Sequence, residues 1–175
     1  TMPDNERFTW AVEEVTGMDK IRVPYSVIKK MAHVFRASDF HVKAVIRKTG
    51  KDVFVYDVLP ASEEPVVAGI AIDIGTTSVS AIIIDMLNGA VLAKGSAGNG
   101  QIRYGADVIN RIIESGKPGG REKLQDAIIK ETLNPLILNM CASAKIKPAQ
   151  VYRLAIGANT TMNHLLMGVD ADPVR

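Results

Sequence analysis

The run "IAIDIGTTSVSAIIID", residues 70–85, constrains this chain more than any other stretch. Two isoleucine-rich segments flank a Gly-Thr-Thr-Ser break. Continuous β-branched runs of this kind read as strands buried on both faces at a sheet centre. A carboxylate inside such a strand is costly unless charge or hydrogen bonds compensate it. Asp73 is therefore expected at the strand's end, facing a cleft. Gly75 permits a tight turn and close approach of a ligand to the backbone. Successive main-chain N–H groups in such a turn form an anion nest, and Thr76, Thr77 and Ser78 add hydroxyl donors. An aspartate beside a phosphate nest suggests magnesium held through water, because that ion dehydrates reluctantly. A second reading stands beside this one: a Gly-Thr turn in a structural hairpin, with Asp73 hydrogen-bonded to neighbouring amides. Two other phosphate-binding designs are excluded. No G-x-x-x-x-G-K-[ST] pattern occurs, and the turn leads into a strand, not into the helix that a P-loop or a dinucleotide fingerprint requires.

With 175 residues, 47% hydrophobic and 23% charged, the chain can bury a core, as one ordinary domain or a small domain plus part of a larger one. Its single cysteine, Cys141, excludes a disulfide framework and any cysteine-only iron–sulfur or zinc site within this chain. The surrounding apolar helical pattern makes it a small core residue, and such usage fits a cytoplasmic protein. A net charge of +2 gives no global case for nucleic acid. Locally, residues 20–51 hold nine Lys/Arg and one acid, Asp39, which reads as a solvated surface or as a docking patch for an acidic partner. No apolar run reaches the roughly 20 residues of a membrane-spanning helix. The polar start "TMPDNERFTW" is no secretory signal. Thr1 before Met2 reads as a cloning remnant, and the chain as a piece of a longer protein.

"SEEPVVAG", residues 62–69, reads as a linker, which puts a domain boundary near Pro65 and divides the chain into 1–65 and 66–175. In the first part, "KIRVP" suggests a strand. Pro24 opens a helix with an apolar face at Val27, Ile28, Met31, Val34 and Phe35. Alternation through Val42, Ala44 and Ile46, a turn at Thr49-Gly50-Lys51 and further alternation at Val53 and Val55 predict a hairpin. This is a small α+β module. In the second part, two strands flank Gly75, and Asn88-Gly89 predicts a tight type I′ turn into a third. A helix follows with Val108, Ile109, Ile112 and Ile113 on one side. A longer helix carries Ile129, Leu133, Leu136, Ile137, Met140 and Ala144, kinked at Pro135. "VYRLAIGA" is a strand leading into a helix capped by Asn159 or Thr160. The order is β-β-β-α-α-β-α, and no internal repeat interrupts it. His33 and His41 lack the neighbours of a metal site, and His164 lies one turn inside its helix.

D-I-G-T-T-S between two strands, followed by that element order, resembles the first half of an ASKHA nucleotide-binding domain, the ribonuclease-H-like superfamily of kinases, chaperones and actin. Together with "GQIRYGADVINRI" (100–112) and "GANTTMNHLLMGVD" (157–170), it resembles the reductive activators of corrinoid proteins. The resemblance implies a small α+β middle domain over 1–65 and an incomplete ASKHA domain, a partial ribonuclease-H-like mixed sheet, over 66–175. It implies ATP and Mg2+ as cofactors, with a two-iron two-sulfur cluster in a domain outside this chain. The implied activity is ATP-dependent return of a corrinoid protein's cobalt(II) to cobalt(I) in anaerobic methyl transfer, with the corrinoid protein as partner and no nucleic acid or membrane. Asp73 would hold magnesium-bound water. Gly75, Thr76, Thr77 and Ser78 would cradle phosphates, and Asn159, Thr160 and Thr161 would face the same cleft from a helix N-terminus. Tyr104, Gly105 and Asp107 would shape the cleft mouth or cap a helix. One position departs from the family, Gly100, where proline is usual. Two alternatives remain: another ASKHA ATPase or kinase, such as a dehydratase activator or sugar kinase, and a module in which residues 1–65 pair as a homodimer through a sheet edge.

Overall fold

The computed structural model describes residues 2–175, and the chain divides into two compact units at Pro65/Val66. In the first, α1 (Asp4–Thr16) precedes β1 (Lys20–Arg22), α2 (Tyr25–Ala37), β2 (Val42–Thr49) and β3 (Asp52–Pro60). The sheet order is β1-β3-β2, with β1 parallel and β2 antiparallel to the central strand. Phe8 and Val12 of α1, Val27, Met31 and Phe35 of α2, and Val53, Val55 and Val58 of β3 form its core. The hairpin turns at Gly50, which takes a left-handed φ of 60°. Four cations of the basic run are ion-paired. Arg22 meets Asp52, Lys30 meets Asp57, Arg36 meets Asp4 and Lys43 meets Glu64, all carboxylates outside the run.

The second unit is built on β4 (Ala68–Ile74), β5 (Ser78–Asp85), β6 (Val91–Gly98) and β7 (Val151–Ala158). Their order is β6-β5-β4-β7, antiparallel except for the β4–β7 pair. This is the partial ribonuclease-H-like mixed sheet expected from the sequence. Between β6 and β7 run a 3-10 turn (Gly100–Tyr104), α3 (Val108–Ser115), α4 (Gly120–Ile128), a π-helical turn (Ile129–Leu133) and α5 (Asn134–Ser143). After β7 comes α6 (Thr160–Met167). Ile70, Ile72, Ile74, Val79, Ala81 and Ile83 of the central strands pack on Ile112, Leu124, Ile128, Leu136, Met140, Met162 and Leu165 of the helices.

Three expectations change. β4 and β5 are central as expected, but only one face of them is buried. Ala71, Asp73 and Ser80 alternate outward and are exposed. The Asn88-Gly89 pair makes no type I′ turn, which needs positive φ at both residues. Only Gly89 is left-handed, at 77°. Instead Asp85 accepts from the Leu87 amide at 2.9 Å and from Asn88 Nδ2 at 2.9 Å, and Gly89 N closes on Asp85 O, giving a longer loop. In α3 the buried face holds Arg111, Ile112 and Ser115, whereas Ile109 and Ile113 are exposed. The long helix is indeed irregular before Pro135: Asn134 N reaches Ile129 O, the five-residue spacing of a π turn.

Candidate functional site

Register places Asp73 in a polar row across the open face of the sheet. Asp73 pairs with Ser80, Ser80 with Ser96, and on the other side Asp73 with Gly157. The next row inward carries Lys94 beside Ile82. These residues line an open depression of about 770 Å³. The Asp73 side chain is exposed, and among the described residues no neighbouring amide donates to it. Ser80, Ser96 and Lys94 escape the sequence reading. Only the register of an already folded sheet brings them beside the aspartate.

The turn itself is gripped from behind. Gly75 O accepts from Asn99 Nδ2 at 2.9 Å, Thr76 O from Arg111 Nη2 at 2.7 Å, and Thr77 O from Asn99 N at 2.8 Å. In a trans peptide the C=O and the next N–H point in opposite directions. Gly75 O and Thr76 O, drawn inward, therefore aim the amides of Thr76 and Thr77 outward. The Thr76 and Thr77 amides, and the hydroxyls of Thr76, Thr77 and Ser78, have no intramolecular partner among the described residues. Gly75 N bonds Ser78 O at 2.9 Å, closing the turn, and a Cβ on Gly75 would lie 2.8 Å from that same oxygen. The glycine is thus demanded by the chain's own backbone.

β7 ends at Ala158 opposite Ile74, so α6 begins beside this turn. Asn159 is its N-cap, with Oδ1 accepting from Met162 N at 2.9 Å. Thr160 is exposed and Thr161 buried. Asp107 caps α3 through Asn110 N at 2.8 Å, and Gly105 O accepts from Arg111 Nε at 2.8 Å. Tyr104 and Gly105 are half-buried. His164 bonds Thr160 O within its own helix at 2.7 Å. Gly100 N donates to Thr132 Oγ1 at 3.0 Å, and a Cβ there would meet Ala127 O at 2.8 Å. Proline could neither donate nor fit at this position. Behind the turn, Met162 Sδ lies 3.4 Å from Arg111 Nη1 and 3.8 Å from Asn99 Nδ2, which ties α6 to the same grip. Burial pushes the Arg111 guanidinium down from its ordinary value, and the Asp107 charge partly offsets this. It remains a cation at neutral pH, as arginines in proteins do.

A family model described as "RACo middle region" matches residues 68–175, more than half of the chain. The chain belongs to the RACo family. A second RACo model, described as the linker region, matches residues 1–65. The family's own division thus calls linker what the sequence resemblance names the small middle domain, and calls middle region what it assigns to the ASKHA start. Among curated proteins, the chain is 36% identical over 145 residues to "Corrinoid activation enzyme RamQ" of Eubacterium limosum, covering 82% of this chain and 24% of that protein. A solved structure of a "Reductive activator for corrinoid,iron-sulfur protein" matches with a TM-score of 0.82 and 29% identity, over 98% of this chain and 28% of the other. This RACo chain spans about a quarter of the length of these relatives. Among its described residues, no helix is long and apolar enough to cross a membrane.

Proposed function

We propose that this RACo chain is the phosphate-binding part of an ATP-dependent reductive activator that returns a corrinoid protein's cobalt(II) to cobalt(I). The observation that carries the reading is the turn 75–78. Its outward amides and unpartnered hydroxyls adjoin a carboxylate on the open face of the sheet. That donor set fits a magnesium-bound polyphosphate: amides and hydroxyls for the anion, one carboxylate for water on the metal. Asp73 would orient that water, while Thr76, Thr77 and Ser78 would hold the β and γ phosphates. Thr160 and the α6 N-terminus favour negative charge from the neighbouring strand end, although Asn159 serves mainly as a cap. Bound MgATP would supply the differential binding energy that biases how activator and corrinoid protein dock.

One cysteine cannot supply the ligands of a cysteine-only iron–sulfur cluster. The cluster belongs, on this proposal, to another domain of a longer cytoplasmic activator. The 175-residue chain alone should then bind Mg-pyrophosphate weakly and turn over no ATP. Titration calorimetry with the wild type and Asp73→Asn tests the first expectation, and the variant should bind about tenfold more weakly. Steady-state ATP hydrolysis by the chain alone, lost in Asp73→Ala, would contradict the second.

For residues 1–65 we add a homodimer, favoured by β2 lying at the edge of its sheet, with Val42, Ala44 and Ile46 beside an apolar groove. A monomer by light scattering at high concentration would end that reading.

A further inference from the structure

Among the described residues Arg111 is the only charged side chain that is buried, with none of its surface exposed. Its neighbours are not the carboxylates that usually accompany a buried cation. Nε donates to Gly105 O and Nη2 to Thr76 O, while Nη1 faces Gln101 Oε1 at 3.5 Å and Met162 Sδ at 3.4 Å. Asp107, the acid that partly supports its charge, already accepts from Asn110 through the main-chain amide at 2.8 Å and Nδ2 at 2.9 Å. An apolar residue could have packed against Met162 here. A neutral side chain would also have avoided desolvating a charge. The fold instead keeps a cation without a hydrogen-bonded carboxylate directly behind the turn, bonded to the carbonyl whose peptide partner is the outward Thr77 amide.

We propose that Arg111 is a positioning residue that supplies the fixed counter-charge for phosphates held at turn 75–78, acting through the Thr76–Thr77 peptide. The claim rests on the nucleotide reading of that turn and deepens it. Two effects add. The guanidinium locks the peptide so that Thr77 N–H faces the ligand without reorganisation. Its charge, set in a low-dielectric core, reaches the bound anion with little screening, so the effect grows with ligand charge. A purely structural arginine would give only the first.

The test uses the protein as its gene encodes it, with MgATP, MgADP and inorganic pyrophosphate as probes. Arg111→Gln keeps a donor for Thr76 O but removes the charge. Arg111→Lys keeps the charge but loses the fork. Both variants should melt at lower temperature. Gln should weaken MgATP binding by about tenfold and MgADP binding less, while Lys should recover most of the loss. Equal weakening by Lys and Gln, or no weakening by Gln, overturns the proposal. If Gln does not fold, the unmodified protein decides: the Arg111 side-chain nitrogen resonances must shift on adding MgATP or pyrophosphate but not adenosine, and unmoved resonances overturn it. A wild type that binds neither MgATP nor pyrophosphate removes the nucleotide reading itself, and this proposal with it. Binding that persists unchanged in both variants removes this proposal alone.

Discussion

Asn99 holds two of the three turn carbonyls, one through its side chain and one through its own amide, and also caps the following 3-10 turn with Oδ1 on Gln101 N at 2.9 Å. Asn99→Asp separates these roles. The acid can still cap, but it cannot donate to Gly75 O, and it sets a negative charge against that oxygen. It should cost roughly 1–3 kcal/mol in chemical unfolding and weaken pyrophosphate binding, because the Thr76 peptide is freed to turn. Neither Asn99 nor Arg111 stands out in the sequence, and the reason is physical. A helical-face reading counts apolar residues, and it selected Ile109 and Ile113 over Arg111. Four acceptors converging on one guanidinium decided otherwise, and no periodicity encodes carbonyls contributed by distant turns. Asp73, Gly75 and the hydroxyls were legible because their chemistry is local. Cys141 was legible too: it is buried, and burial raises its thiol above the ordinary value. A raised folded-state pKa means stability that is present below the free-thiol range, roughly 8.5, and lost as pH rises through the folded value. Thermal unfolding of wild type and Cys141→Ala against pH should show the wild type losing more stability on the alkaline side.

At the scale of elements, the π turn Ile129–Leu133 connects the long helix to the turn 75–78. By widening one turn, the helix presents Thr132 Oγ1, which donates to Ala127 O at 2.8 Å and accepts from Gly100 N at 3.0 Å. Gly100 then leads directly from Asn99. Gly100→Ala should destabilise by about 1–3 kcal/mol, since its Cβ meets a backbone oxygen that cannot swing away. Gly100→Pro should cost more, because the Thr132 bond is lost as well. Urea midpoints of the two variants, with Thr132→Val as a reference for the lost bond, check the order. Pro135 made the irregularity foreseeable. The long-range purpose of the widened turn was not, because Thr132 is read against Gly100 only once the sheet and helix are packed. α1 was also missed, although its signals are present: Pro3 ahead of it, Asp4 and Glu6 in the first turn, Phe8 and Val12 buried, Gly17 left-handed at the end. Its polar composition concealed a stripe of only two core residues.

Over the whole molecule, the two units keep separate cores, one built on β3 with α1 and α2, the other on β4 and β5 with α3 to α6. Everything assigned to phosphate lies in the second: the turn, Asn99, Arg111, Met162 and the start of α6. The polar row and the grip behind the turn are therefore products of one core, and their geometry should not depend on residues 1–65. A chain of residues 66–175 should fold cooperatively and bind Mg-pyrophosphate with an affinity within about twofold of the 175-residue chain, a difference that leaves no appreciable coupling energy. Circular dichroism through a thermal ramp, followed by titration calorimetry, measures both. A 66–175 chain that folds but loses binding would mean that the first unit shapes the site. The same chain without a cooperative transition would mean that the second core is incomplete alone. The short apolar strands of β4 and β5, buried on one face by eight-to-ten-residue helices, argue for the cooperative outcome.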